Sequence, residues 1–222
     1  MSKKTSHSGQ SGADPSNVGE NIHLYHDDLP EGLDLGSVVA IDTETMGLNP
    51  HRDRLCLVQL SSGDGQAHLV KIAKAHKPAP RLAAMLADPK VEKLFHFARF
   101  DVSVLSHNIG AINGAIYCTK IASKLARTYT DRHGLAELVS ETLQISLSKA
   151  QQSSDWGADT LTLEQMHYAA ADVLYLHQIR TRLDKILERE GRMAEAKACF
   201  AFMPTRCALD LGGFDNMDIF SH

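Results

Sequence analysis

Two acidic residues follow directly on an apolar run within the segment 38–48, VVAIDTETMGL. The four apolar residues 38–41 predict a buried strand, so Asp42 and Glu44 stand where further apolar residues are expected. Side chains at i and i+2 of a strand share a face, so these two carboxylates can point at one spot. Like charges that are held together repel unless protons or a cation lie between them, and oxygen ligands suit Mg²⁺ or Mn²⁺. The pair predicts a metal site; the alternative is that Asp42 caps a turn and Glu44 is solvated.

Two other places in the chain offer partners for this pair. In the segment 95–101, FHFARFD, an aromatic strand gives way to a helix whose first turn carries Asp101. An Asp there also suits the positive N-terminus of a helix, so capping is the alternative reading. In YAAAD, Tyr168 and Asp172 have the i, i+4 spacing that puts both on one helix face, with three alanines that allow close approach. The alternative is a core tyrosine beside a solvated aspartate.

Composition limits the classes of protein to consider. The chain has 222 residues, of which 43% are hydrophobic, enough for one core and a single domain. A formal net charge of -4 and a pI near 6.3 do not give the broad basic surface that grips long nucleic acid. Any nucleic-acid substrate is therefore expected to be short, or held by metals and a few local cations.

The expected environment of the chain is the cytoplasm. No apolar run approaches the roughly 20 residues that span a membrane, and no apolar segment follows the N-terminal lysines, so we predict no membrane partner and no secretory signal. The four cysteines lack CxxC spacing, which argues against a disulfide framework and a structural zinc site. We expect a soluble protein with reduced thiols.

The elements that must position the acids form a mixed α/β sheet. Residues 1–20 have almost no apolar side chains and predict a disordered leader or a cloning remnant, followed by a folded domain over 21–198. Five strands are predicted, at 38–44, Leu55–Ser61, 67–72, 93–97 and 115–118. Helices are predicted at 81–87, 101–107, 120–128, Leu135–Leu143 and 163–189. Three antiparallel strands precede alternating strands and helices, which is typical of a mixed sheet flanked by helices.

Taken in chain order, DTE at 42–44, HxxxxD at 96–101 and YxxxD at 168–172 resemble the three exonuclease motifs of the DEDD superfamily. The tyrosine in the third motif is similar to one subgroup, DEDDy, and SSDW at 153–156 is similar to ribonuclease D. The segments PHRDRLCLVQLSSGDG, CTKIASKLARTYTDRHGL and ALDL with DIF resemble the compact bacterial nano-RNase C proteins. The chain stops at 222, where ribonuclease D would continue into helical nucleic-acid-binding domains. The resemblance implies a ribonuclease H-like fold and an exonuclease domain over 21–198.

The resemblance also implies a two-metal phosphodiester hydrolase, with Mg²⁺ or Mn²⁺ ions roughly 3.5 to 4 Å apart. Asp42 would bridge the two ions, Glu44 and Asp172 would hold the ion that activates water, and Asp101 would hold the second. Tyr168, with an ordinary pKa of about 10, is a poor general base and would orient the attacking water. Nucleoside 5′-monophosphates would leave from the 3′ end of short single-stranded RNA, especially dinucleotides. The alternatives are an exonuclease on longer RNA or DNA, and a non-catalytic binding module, which the intact motifs disfavour.

Several other residues are candidates for contact with the substrate. They are Thr43, Leu48, His96, Lys120, Lys124 and Arg127. Leu48 follows the acidic strand, where it could plug the core or wedge against a base. His96 could equally be a core histidine, and basic runs on helices are usually solvated faces.

The segment 199–222 carries too much apolar surface for a free tail. It could dock on its own domain or on a neighbouring subunit. Because nano-RNase C proteins form rings, we favour a closed homo-oligomer, an octamer.

Overall fold

The strand that carries the first two acids lies inside one sheet, which has seven strands in the described part of the chain. The computed structural model describes residues 16–17, 21–74, 78–148 and 150–221. The strands are β1 Ser16–Asn17, β2 Ile22–His26, β3 Val38–Thr45, β4 Leu55–Ser61, β5 Ala67–Lys71, β6 Glu92–Phe95 and β7 Ile116–Cys118. Their order across the sheet is β1-β2-β5-β4-β3-β6-β7. The predicted mixed α/β architecture is confirmed, and all five predicted strands are present.

The two strands at one end of the sheet, β1 and β2, were not predicted. β2 pairs parallel with β5, and β1 pairs antiparallel with β2. A two-residue strand of Ser16 and Asn17 is too short and too polar to show an apolar periodicity that could reveal it. Apart from these two residues, the predicted disordered leader at 1–20 lies outside the described residues.

Seven helices surround the sheet in the described residues. They are α1 Pro80–Ala87, α2 Ala98–Asn108, α3 Thr119–Ala126, α4 Leu135–Leu143, α5 Leu163–Leu174, α6 Leu176–Arg189 and α7 Met193–Leu209. A π-helical turn, Asp210–Phe214, follows α7. No helix in this part of the chain is long and apolar enough to cross a membrane.

The prediction of one continuous helix at 163–189 was wrong, because the helix is interrupted at Tyr175. Its φ of -102° and ψ of -7° depart from ideal α-helical values, and its N–H bonds to the carbonyl of Val173, two residues back, and not to a carbonyl four residues back. The break lets α5 pack on β3, β4 and β5 while α6 turns to pack on α3 and α4. The apolar periodicity of the sequence continues through this interruption, so it cannot reveal that α5 and α6 pack on different elements.

The sheet is covered on both faces where β3 and β4 lie. α5 packs on one face of this pair and α2 packs near the other, which leaves every residue of β4 buried. α5 begins with a capping box, in which Thr162 and Gln165 each bond the other's backbone N–H. Gln165 also donates through Nε2 to Ser154 Oγ at 2.6 Å and to the Asp155 carbonyl at 3.2 Å. The start of α5 is therefore fixed to the loop that precedes it.

Candidate metal centre and active site

β3 and α5 together bring three carboxylates to one point. Asp42 and Glu44 alternate with Thr43 along β3 and so project from one face of the sheet, as predicted. Asp172 reaches the same point from α5, which packs on that face. One carboxylate oxygen from each of these three acids lies within 4.8 Å of the others. The register of β3 and β4 shifts between Glu44 and Thr45, a bulge that ends regular pairing next to the cluster.

Asp101 approaches the cluster from α2, near the opposite face of the sheet. It is buried and accepts a 2.7 Å hydrogen bond from the hydroxyl of Thr43, which projects away from Asp42. It does not belong to the group of three carboxylates within 4.8 Å. The Thr43 side chain, predicted to contact substrate, is therefore used to fix Asp101.

The four acids are electrostatically unfavourable when they are all ionised. Burial raises the pKa of Asp42 to about 7, and burial together with the charges of Asp42, Asp172 and Asp101 raises the pKa of Glu44 to about 10. Burial and then the charge of Asp42 hold the pKa values of Asp101 and Asp172 well above the usual range. Protons or a multivalent cation are needed to offset this repulsion.

Tyr168 stands one helical turn before Asp172 and is partly buried. Burial raises the pKa of its hydroxyl, and the charges of Asp172 and Glu44 raise it further. The hydroxyl is therefore neutral at physiological pH and cannot serve as a base. Its ring lies 6.0 Å from that of Trp156, centroid to centroid.

Asp42, Glu44 and Asp172 line a cavity of about 530 Å³. Its other walls include Met46, Leu48, His96, Phe97, Phe100, Lys120, Ser153, Ser154, Trp156 and Tyr168. Leu48 is 83% exposed, so it does not plug the core. Phe97 is 47% exposed and adopts a left-handed φ of 77°, a conformation that is strained for a bulky residue. Sequence reasoning missed Phe97; its place in the aromatic run before α2 was the available signal.

The three basic residues predicted to contact substrate lie in different environments. Lys120 lines the cavity with its ammonium 4.2 Å from the centroid of the Phe97 ring. Lys124 is exposed on α3 and does not line the cavity. Arg127 is 1% exposed; its guanidinium donates to Ser123 Oγ and to the Arg132 carbonyl, both at 2.9 Å, and pairs with Glu141. The guanidinium of Arg127 therefore turns into the protein and not toward the acids.

His96 lines the cavity as a neutral side chain. Its Nδ1 lies 2.8 Å from the hydroxyl of Thr119, and burial, followed by the charge of Lys120, lowers its pKa to about 3. A neutral imidazole at this place can contact a substrate but does not carry a positive charge for a phosphate.

The sequence profile of a protein family described as 3′-5′ exonuclease matches residues 26–188. Ribonuclease D of Gluconacetobacter diazotrophicus is 37% identical over 155 residues, which are 70% of this chain and 39% of that protein. Ribonuclease D of Granulibacter bethesdensis is 36% identical over 156 residues, which are again 70% of this chain and 39% of that protein. The chain thus spans about two fifths of the length of these curated relatives.

Solved structures show the same relationship. Brucella melitensis NrnC, a nano-RNase C, superposes with a TM-score of 0.89 and 54% identity, over 92% of this chain and 100% of that chain. Escherichia coli RNase D gives a TM-score of 0.67 and 29% identity, over 77% of this chain and 45% of that chain. The predicted resemblance to both groups is confirmed. With the family match extending from β2 into α6, the chain belongs to the 3′-5′ exonuclease family.

Proposed function

We propose that this protein is a metal-dependent 3′-to-5′ exoribonuclease that hydrolyses short oligoribonucleotides, especially diribonucleotides, to nucleoside 5′-monophosphates. The observation that carries the proposal is the convergence of Asp42, Glu44 and Asp172 within 4.8 Å, in a cavity that Tyr168 also lines. Family membership supports the reaction class. The similarity to Brucella melitensis NrnC, which has been solved bound to pGG with a TM-score of 0.88 and 53% identity, supports the short substrate.

The cluster of Asp42, Glu44 and Asp172 fits a divalent ion, and we propose two ions, Mg²⁺ or Mn²⁺. Carboxylate oxygens are the ligands these ions prefer. Burial raises the pKa of all three acids, and neighbouring carboxylates raise those of Glu44 and Asp172 further, so a bound cation would favour their ionised forms. Brucella melitensis NrnC has also been solved with bound Mg²⁺. Asp42, Glu44 and Asp172 would hold one ion, and Asp42 with Asp101 the other. When bound, such ions polarise a phosphodiester and lower the pKa of water.

The protein side chains contribute positioning. The neutral hydroxyl of Tyr168, one helical turn before Asp172, would orient the attacking water. Thr43 fixes Asp101 through its 2.7 Å hydrogen bond. Burial of these groups keeps water from screening the charges that develop during hydrolysis.

The walls of the cavity favour a short substrate. Leu48 and Phe97 offer exposed apolar surface on which bases can pack, whereas Lys120 is the one lysine or arginine among the described residues lining the cavity. A longer strand would find no basic track there, and the net charge is negative. Few phosphate contacts also mean that binding releases few counterions, so its salt dependence is expected to be weak.

Replacing Leu48 by alanine should slow hydrolysis of a dinucleotide roughly ten-fold and hydrolysis of a heptanucleotide less. The change removes an apolar contact with a base that contributes about 1 to 2 kcal/mol, and a dinucleotide has few other contacts to compensate. The measurement is the single-turnover rate on labelled RNAs of two, seven and about twenty nucleotides, and on matched DNA. Leu163→Ala is the matched control, since Leu163 is an exposed leucine on α5 outside the cavity.

The same series tests the main alternative, an exonuclease on longer RNA or DNA, which the identity to ribonuclease D favours. If the parent cleaves the twenty-nucleotide RNA as efficiently as the dinucleotide, and Leu48→Ala slows both equally, the length-selective pocket does not exist.

The segment 199–222 divides into two parts. Phe200, Met203 and Cys207 of α7 are buried against the same chain, so this part docks on its own domain. Beyond it, four large apolar side chains are exposed in the single chain: Phe214, Met217, Ile219 and Phe220. We therefore propose that this second part contacts a neighbouring subunit of a closed homo-oligomer, an octamer.

Light scattering at micromolar concentration should give a mass several times that of the 24.3 kDa chain. Phe220→Asp should reduce that mass, because a charge would be buried in an apolar interface. Asp218→Asn, a change of charge at an exposed neighbour, should not. A monomeric parent would refute the assembly.

A further inference from the structure

Gln59 on β4 lies directly opposite Asp42 in the antiparallel register of β3 and β4. Residues opposite each other in such a pair project from the same face, with Cβ atoms about 4.5 to 5.5 Å apart. The side chain of Gln59 therefore points to the face on which Asp42, Glu44 and Asp172 converge. It is fully buried there, beneath α5.

The amide of Gln59 is unpaired in this structure. Neither Nε2 nor Oε1 has a hydrogen-bond partner among the described residues, although both atoms are buried. A buried polar group without a partner costs about 1 to 3 kcal/mol. The residue across from it on β5 is Leu69, and Leu57 lies two residues before it on the same face of β4; both are fully buried. A leucine or methionine would suit this environment better, so the fold alone does not explain the glutamine.

A carboxylate that binds metal still has oxygen lone pairs left for a donor. Asp42 is the acid that we assign to both ions, so the orientation of its carboxylate sets the geometry of the whole centre. The amide of Gln59 is the donor that the strand register places directly across from it. An amide donates without adding charge, which leaves the negative charge that the ions require in place.

We propose that Gln59 is a positioning residue of the metal centre, whose Nε2, without a partner in this structure, would turn to donate to the Asp42 carboxylate and fix it for metal binding. The inference rests on the proposed function, because it requires metal ions at Asp42. Partners of this kind, which bond to a ligand and not to the metal, typically contribute 10-fold to 100-fold to metal affinity or activity.

The test is a calorimetric Mn²⁺ titration of the full chain, together with the melting temperature without metal. Gln59→Met keeps the length of the side chain but removes the donor, so we expect Mn²⁺ affinity to fall about 10-fold while the melting temperature holds or rises. Gln59→Leu is a second apolar variant should the first fail to fold. Ser61→Ala is the control: Ser61 lies two residues along the same face, its hydroxyl donates to the Gln66 carbonyl at 2.7 Å, and Mn²⁺ affinity should not change.

Unchanged Mn²⁺ affinity in the folded apolar variant would overturn the role of Gln59 and leave the proposed function standing. An equal loss of affinity in Ser61→Ala would also overturn it, because the effect would then come from general loosening of β4. If the parent itself binds no Mn²⁺, the proposed function fails, and that result is distinct from both of the others.

Discussion

Hydrolysis is expected to fall by more than about 1,000-fold in Asp42→Asn and in Asp172→Asn, with the fold intact. Each change removes a proposed metal ligand, a loss larger than the 10-fold to 100-fold cost of removing a partner outside the metal's own ligands. Rates on the dinucleotide with Mg²⁺ and with Mn²⁺ are the measurement. Asp159→Asn is the control, because Asp159 is an exposed acid whose 3.4 Å ion pair with Lys74 lies away from the cavity.

Asp42→Asn is also expected to stabilise the protein when no metal is added. Burial raises the pKa of Asp42 to about 7, against about 4 in the unfolded chain, so the folded state binds this proton more tightly. That contribution to stability is complete below pH 4 and is lost as the pH rises to about 7. At pH 8 the asparagine variant should therefore exceed the parent by roughly 2 to 4 kcal/mol, and at pH 4 by little.

Denaturant unfolding at both pH values, in the presence of a chelator, measures this difference. Substantial turnover by both asparagine variants, with the metal dependence of the parent, would remove the two-metal proposal. A parent whose stability does not decline between pH 4 and pH 8 would show that Asp42 is not desolvated as the structure places it.

Tyr168→Phe should slow the chemical step about 100-fold without weakening metal binding. Only the hydroxyl that orients the water is removed, and misplacement of a reacting group by about 1 Å costs on this order. Because the pKa of Tyr168 is raised, the hydroxyl does not titrate near neutrality, so parent and variant should have pH–rate profiles of the same shape.

Single-turnover rates between pH 6 and pH 9 and a Mn²⁺ titration separate the two effects. Tyr175→Phe is the matched control, because Tyr175 lies one residue beyond α5 and outside the cavity. An unchanged rate in Tyr168→Phe under conditions where chemistry limits turnover would reassign Tyr168 to packing against Trp156.

The local sequence determined most of the strands and helices and the faces from which their site residues project. Alternation along β3 was sufficient to put Asp42 and Glu44 on one face, and the i, i+4 spacing was sufficient to place Tyr168 beside Asp172. Four of the five predicted helices and all five predicted strands were found within about three residues of their predicted limits. These features depend on the period of one element and need no knowledge of its neighbours.

The roles of individual polar residues depended on packing between distant segments. Arg127 was predicted to bind phosphate, but its guanidinium pairs with Glu141 of α4, fourteen residues away. The exposure of Leu48 and the strained backbone of Phe97 at the rim of the cavity likewise follow from the loops around them. The type of a basic or apolar residue does not determine the direction in which its side chain points.

By itself, then, the sequence determined the chemical types of the site residues, their order and the elements that carry them. Only the tertiary structure decided that Asp172 joins Asp42 and Glu44 from α5 while Asp101 arrives from α2 on the far side, bonded to Thr43. Periodicity fixes which side chains share a face of one strand or helix. Which faces meet is decided by helices that are far apart in the chain and pack on opposite sides of one sheet. The register of β3 and β4, which puts the buried Gln59 opposite Asp42, is likewise set only in the folded sheet.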